Sequence, residues 1–294
     1  MDGDSELIRA INRRTGAGLI VRGRAEHGKL GGAIYAEWPD GRPAVVTLFD
    51  GELPAARQVA EILNLLQDRG YPVPRHELVV ELGDQVVFVQ QRLPQAASTG
   101  LSLARIRGIA AINERFAGAL ADLPDVPPVT RWFRPPGTDP YLILDLVPQH
   151  DHRARDVAEE ILRITTAEAS EDRLAGDDLV HVDLSAANVL FDDQERPTAV
   201  VDWNLGVYRG DRRLALVQTR FDREWFVRRA DPDQVELAAA HLLDEILTDL
   251  IPPDQLRTFW AFWLLHQLPR ALRRGAAAPV IDWQLALAES RLSH

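Results

Sequence analysis

Residues 179–206, LVHVDLSAANVLFDDQERPTAVVDWNLG, decide how the rest of the chain is read. Two apolar runs, Asn188-Val189-Leu190 and Thr198 to Val201, flank the polar stretch Asp192 to Pro197, the pattern of two short strands joined by a turn. His181 and Asp183 precede the first strand, Asn188 opens it, and Asp202 follows the second. A hairpin of this length brings Asn188 and Asp202 to one end, where amide and carboxylate oxygens can share a hard divalent cation. Asp183 adds a carboxylate able to orient an attacking hydroxyl or accept its proton. That donor set suits phosphoryl transfer, which rests on positioning and charge neutralisation.

HxDLxxxNVL followed by VVDW resembles the aminoglycoside phosphotransferase group, the small-molecule branch of the protein-kinase-like fold, whose usual form is HGDLxxxNVL and then IDW. Protein kinases are less similar, since they carry a longer insert before the second aspartate and follow it with Phe-Gly, where this chain has Trp203-Asn204. The resemblance implies an α+β, bilobal fold: a nucleotide-binding lobe over residues 1–93, built on an antiparallel sheet plus helix, and a mainly helical catalytic and acceptor-binding lobe over 94–294. It also implies ATP or GTP as co-substrate, Asp183 as catalytic base, and Mg2+ held by Asn188 and Asp202. His181 reads as structural, its imidazole fixing backbone near the Asp202 loop. Asp211, in Tyr208-Arg209-Gly210-Asp211, reads as a structural anchor or helix cap.

Composition bounds the reading. A chain of 294 residues is long enough for two packed units, and the absence of cysteine excludes disulfides and thiolate metal sites. The first twenty residues lack a signal-peptide apolar core and no run reaches membrane-spanning length, so a soluble, cytoplasmic protein with no membrane partner is expected. A net charge of −11 argues against nucleic acid as a partner and is compatible with a cationic small-molecule acceptor, or with solubility alone. Of 33 basic residues only Lys29 is lysine.

Lys29 falls in Glu26-His27-Gly28-Lys29-Leu30-Gly31-Gly32, between strands expected at 19–24 and 33–38. Glycines there let backbone N–H groups approach phosphate, although the same composition suits a plain hairpin. By resemblance Gly28, Lys29, Gly31 and Gly32 form the nucleotide-covering loop. The next strand, 44–49, carries Thr47 where the family has a phosphate-gripping lysine, so the charge comes from elsewhere, Lys29 first, or nucleotide binding is weakened. A helix over 53–69 stopped by Gly70 and a hairpin of 76–82 with 85–91 follow, and by resemblance main-chain groups of Gln91 to Leu93 meet the purine.

Beyond this point helical periodicity runs through 101–123, then a proline-rich loop to 140, a helix from His152 to Ala169, and helices at 212–229, 233–250, 253–273 and 280–292. His150-Asp151-His152 is too contiguous to converge on one metal, and Asp151 reads as an N-cap. Arg209, Arg212, Arg213 and Arg220 read as a solvated helix face, with phosphate binding as the alternative, and Trp260 and Trp263 as core.

The function expected is nucleoside-triphosphate-dependent O-phosphorylation of a small, cationic molecule, such as an aminoglycoside or a tuberactinomycin-type peptide antibiotic. The alternatives are a metabolic or sugar kinase of the same fold and a catalytically impaired, pseudokinase-like nucleotide-binding protein. If Lys29 replaces the missing strand lysine, Lys29→Ala raises the nucleotide KM sharply, and steady-state kinetics at saturating acceptor measure it.

Overall fold

A computed structural model describes residues 2–25, 32–94, 101–135, 137–148, 151–228, 231 and 233–293. The chain forms two compact units, one of Met1–Ser98 with Ala187–Val207, the other of Thr99–Ala186 with Tyr208–His294. Sequence order alone puts 187–207 with the second half; packing puts it in the first unit.

In the first unit, α1 (Asp2–Thr15) leads into β1 (Ile20–Arg24), β2 (Ile34–Glu37) and β3 (Pro43–Phe49), followed by α2 (Leu53–Asp68), β4 (His76–Leu82) and β5 (Gln85–Gln91). The strands form one antiparallel sheet in the order β1-β2-β3-β5-β4. Ile8 and Ile11 of α1 bury against Leu19, Ile34, Ala36, Ala44, Val46, Val80, Val87 and Val89. Because Val46 pairs with Val89 and Thr47 with Phe88, strand alternation turns Thr47, Phe88 and Gln90 to the opposite face. There Phe88 packs edge-on against His76, ring centroids 4.7 Å apart, and against Phe49 at 5.1 Å. The amide of Asn64 on α2 brackets β4, donating to the His76 carbonyl and accepting from its N–H.

The second unit opens with α3 (Leu103–Glu114), then α4 (Thr130–Phe133), α5 (Leu142–Leu146), α6 (His152–Thr165) and β6 (Asp178–Val180). β7 (Val189–Phe191) and β8 (Pro197–Val200) pair as a hairpin belonging to the first unit. β9 (Tyr208–Gly210) returns to pair with β6, and α7 (Leu214–Val227), α8 (Gln234–Leu250), α9 (Pro253–Arg273) and α10 (Ala278–Leu292) complete the unit. Gly210 has no room for a side chain: a Cβ would lie 2.6 Å from a Val129 methyl and 2.8 Å from the Leu174 carbonyl. Among the described residues no helix is long and apolar enough to cross a membrane.

Several boundaries and roles differ from the periodicity. The helix expected over 101–123 stops at Glu114, because β6 competes for its last carbonyls and amides. The Phe116 carbonyl accepts from Leu179 N–H, the Leu120 N–H goes to Asp177, and Gly118, at φ +62°, donates to the Asp178 carboxylate. The loop to residue 140 contains the short α4. The helix begun at His152 ends at Thr165, with Asp151 capping it by accepting the Ala154 N–H. The four arginines expected on a solvated face are ion-paired instead: Arg209 with Asp177, Arg212 with Asp178 and Glu114, Arg213 with Asp211, and buried Arg220 with Glu224 and Asp244. Helical periodicity shows only the Arg220–Glu224 pair, one turn apart on α7; Asp177, Asp178, Glu114 and Asp244 lie on other segments. Trp260 and Trp263 are core.

Burial pushes the His76 imidazole down to about 4 from an ordinary value near 6.5. A depressed histidine binds fewer protons folded than unfolded, so its stabilising contribution is complete above the unfolded value and is lost as pH falls from about 6.5 toward 4. His76→Leu is expected to reduce the drop in Tm between pH 7.5 and 5.5, where His76 alone costs about 1 kcal/mol.

Candidate active site

The residues singled out in 179–206 fall in two clusters, one in each unit. In the first, the β7–β8 hairpin sets Val189 opposite Val200 and Leu190 opposite Ala199. Its turn is closed by Asp192, whose carboxylate accepts the N–H groups of Gln194 and Arg196 and the Arg196 guanidinium. At the other end the Val201 N–H donates to the Asn188 carbonyl at 2.8 Å, extending the ladder by one step and placing Asn188 and Asp202 at adjoining positions. Asn188 is only 7% exposed, whereas Asp202 is exposed.

Asp202 has φ +66°, a left-handed conformation that Asp and Asn tolerate better than most residues. Its neighbours hold it there. Trp203 is buried and donates its indole N–H to the Val200 carbonyl at 2.9 Å, folding the chain back on the strand. The Asn204 amide donates to Asp202 Oδ1 at 2.6 Å and accepts the Thr47 hydroxyl at 3.0 Å, while the Asn204 carbonyl accepts the Asp50 N–H. Thr47 also accepts from Gln90 Nε2 at 3.3 Å. The Val200 N–H donates to the Pro72 carbonyl, tying the hairpin to the connection between α2 and β4.

Asn188 and Asp202 offer two hard oxygen donors at adjoining positions, and among the described residues no group of three or more His, Asp or Glu gathers as a self-sufficient metal cage. That donor set fits Mg2+, which is commonly held by one or two protein side chains, with substrate phosphates and water completing its shell.

Elsewhere in this unit Gly32, the described member of the glycine run, has φ +66°, and the Ala25 N–H donates to the Ala33 carbonyl. Gly28, Lys29 and Gly31 lie outside the described residues. The Gln91 N–H donates to the Arg75 carbonyl and that of Arg92 to Pro43, so both serve the sheet. The Arg92 guanidinium lies 3.7 Å from the Tyr35 ring centroid, pinning the strip that leads to half-buried Leu93.

In the second unit, His181 follows β6 and is 2% exposed; its Nδ1 accepts the Asp183 N–H at 3.2 Å. The Asp183 carbonyl accepts from Ser185 N–H, and its carboxylate Oδ1 accepts from Gln218 Nε2 at 3.0 Å. Gln218, only 2% exposed on α7, also donates to Asp222 Oδ2 at 3.0 Å. Its neighbour Thr219 donates its hydroxyl to the Leu184 carbonyl at 2.6 Å. Asp211 is buried near the start of α7, where its carboxylate accepts from the Arg213 N–H, the Arg213 guanidinium and Gln255. That carboxylate also raises the Arg213 pKa.

Sequence reasoning missed Gln218 and Asn204. The only trace of Gln218 is its spacing to Asp222, one helical turn, which becomes informative once α7 is known to run past the Asp183 loop. Asn204 appears in the sequence only as the residue where protein kinases have glycine.

The fold and these clusters define a protein-kinase-like phosphotransferase. The model of the phosphotransferase enzyme family, to which the aminoglycoside phosphotransferases give their initials, matches residues 33–212, more than half of the chain, and the chain belongs to that family. No curated protein matches it. Among solved structures it is similar to a thermostable mutant of the aminoglycoside phosphotransferase APH(4)-Ia in ternary complex with AMP-PNP and hygromycin B, with 16% identity, 98% of each chain covered and a TM-score of 0.70. An aminoglycoside phosphotransferase from Alicyclobacillus acidocaldarius is 18% identical, with 93% of this chain and 90% of that chain covered and a TM-score of 0.54. A putative fructosamine-3-kinase from Thermobifida fusca is 15% identical, with 98% and 99% covered and a TM-score of 0.50. At these identities the structures establish the shared fold, and the family establishes a phosphotransferase of the small-molecule kinase type.

Gln218→Leu removes the donor to Asp183 and leaves the backbone of α7 intact. Turnover is expected to fall about 10- to 100-fold, the size of one lost hydrogen bond to a charged group, with nucleotide KM within about twofold of the parent. Steady-state kinetics of both proteins measure it.

Proposed function

We propose that the protein transfers the γ-phosphoryl group of a nucleoside triphosphate, ATP or GTP, to a hydroxyl of a small cationic molecule, an aminoglycoside or a tuberactinomycin-type peptide, and so confers resistance to such an antibiotic. The observation that carries the reading is the ladder bond from the Val201 N–H to the Asn188 carbonyl, which sets Asn188 beside the residue that precedes Asp202 at the end of the β7–β8 hairpin, a few residues downstream of Asp183 in the order of an HxDLxxxN segment. Asp183 orients the acceptor hydroxyl and takes its proton as the new O–P bond forms; the bond from the γ-phosphorus to the bridging oxygen breaks and the nucleoside diphosphate leaves with the electron pair. Asn188 and Asp202 hold Mg2+, which when bound neutralises charge on the phosphates. Gly28, Lys29, Gly31 and Gly32 cradle the phosphates, and Thr47, Gln91 and Leu93 border the nucleotide. His181 and Asp211 are structural, the first through the Asp183 backbone and the second through the start of α7.

A net charge of −11 supports a cationic acceptor. The similarity to a putative fructosamine-3-kinase supports a second reading, phosphorylation of an amine-bearing sugar in metabolism. A panel of aminoglycosides, tuberactinomycin-type peptides and sugar amines, read as acceptor-dependent nucleoside diphosphate release, separates the two. Asp183→Asn is expected to lower turnover on the best acceptor about 100- to 10,000-fold with an unchanged melting temperature. Absence of acceptor-dependent release across the panel, with nucleotide still bound, would leave the pseudokinase reading standing.

A further inference from the structure

In the family this chain resembles, the third strand of the sheet carries a lysine; here the position is Thr47. Thr47 is not idle. It lies in a chain of hydrogen bonds from Gln90 Nε2 to Thr47 Oγ1 (3.3 Å), from the Thr47 hydroxyl to Asn204 Oδ1 (3.0 Å), and from Asn204 Nδ2 to Asp202 Oδ1 (2.6 Å). The chain has only one possible polarity. A carboxylate accepts and does not donate, so Asn204 must turn its NH2 to Asp202 and its carbonyl to Thr47. The single hydroxyl proton of Thr47 is then committed to Asn204, and its lone pairs can only accept, which fixes the amide of Gln90 as well.

That orientation carries a cost. Gln90 is 4% exposed, and its Oε1 is buried with no hydrogen-bond partner among the described residues. A buried unpaired carbonyl is unfavourable, so the arrangement is held by what the other end requires. The other end is Asp202, in a left-handed backbone conformation. The shortest bond of the three is the one to that carboxylate.

We infer that Thr47 and Asn204 are positioning residues that aim the Asp202 carboxylate at a divalent cation, a neutral relay standing on the strand where relatives place a charge. The inference rests on the proposed phosphotransferase reading, since that reading gives Asp202 its metal. It differs from a packing role, in which the hydroxyl of Thr47 only satisfies Asn204 and metal coupling is indifferent to it.

The test uses the full chain and a fluorescent ATP analogue, titrated with MgCl2, so that metal coupling is read without any acceptor. Thr47→Val keeps shape and β-branching and removes the hydroxyl; Thr47→Ser keeps the hydroxyl. The magnesium midpoint for nucleotide binding is expected to rise about tenfold in Thr47→Val, the size of one lost hydrogen bond. Thr47→Ser is expected to bring the midpoint most of the way back. Asn204→Ala, titrated in the same way, is expected to match Thr47→Val and carries the test if the valine variant loses its melting transition. An unchanged midpoint in a folded Thr47→Val or Asn204→Ala protein, beside a magnesium-dependent parent, overturns the relay alone. A parent chain whose nucleotide binding ignores magnesium overturns the phosphotransferase reading and the relay with it.

Discussion

A carboxylate held on a left-handed backbone is the constraint that the first unit is built to satisfy. At φ +66°, Asp202 stores about 1–3 kcal/mol that the flanking structure must offset. Burial of Trp203 supplies the largest compensation, about 4–6 kcal/mol as an upper figure from the area of an indole. The Trp203 N–H to Val200 and the Asp50 N–H to the Asn204 carbonyl then remove the freedom the chain would need to relax. Outliers of this kind persist where the surroundings over-determine them. Here the surroundings are a hairpin ladder on one side and β3 on the other.

Asp183 is held by different means. Its N–H reaches the imidazole of His181, its side chain reaches Gln218, and the next carbonyl, that of Leu184, takes the hydroxyl of Thr219. Two adjacent residues of α7 thus hold two adjacent residues of the loop, and α7 itself is fixed at its start by Asp211 and the Arg213 guanidinium. Arginine suits that work, since its planar fork makes several directed bonds at once. The same habit recurs in Arg212 and Arg220, each of which meets two acids. A chain with one lysine among 33 basic residues has placed many of its cations in such joints.

How much of this was legible in the sequence follows the range of the interactions. The β7–β8 hairpin and the sheet strands were readable because apolar alternation and turn residues are local. Asp151 as a cap and Trp260 and Trp263 as core were readable for the same reason. The end of α3 was not, because it is set by residues in and just before β6, about sixty positions downstream, that draw off Phe116, Gly118 and Leu120. Gln218, Asn204 and the ion-paired arginines escaped likewise: an amide or guanidinium looks the same in a sequence whether it meets water or a buried carboxylate.

The division of the chain into units has a consequence for how it is made. The first unit is discontinuous: Met1–Ser98 lacks the β7–β8 hairpin, and Ala187–Val207 supplies it. During vectorial synthesis the Pro72 carbonyl, the Asp50 amide and the Thr47 hydroxyl emerge long before Val200 and Asn204, the partners they take in the finished protein. Until the intervening segment has left the ribosome, that sheet is an incomplete platform with its polar groups turned to water, and the closing step of its assembly is the arrival of the β7–β8 hairpin itself.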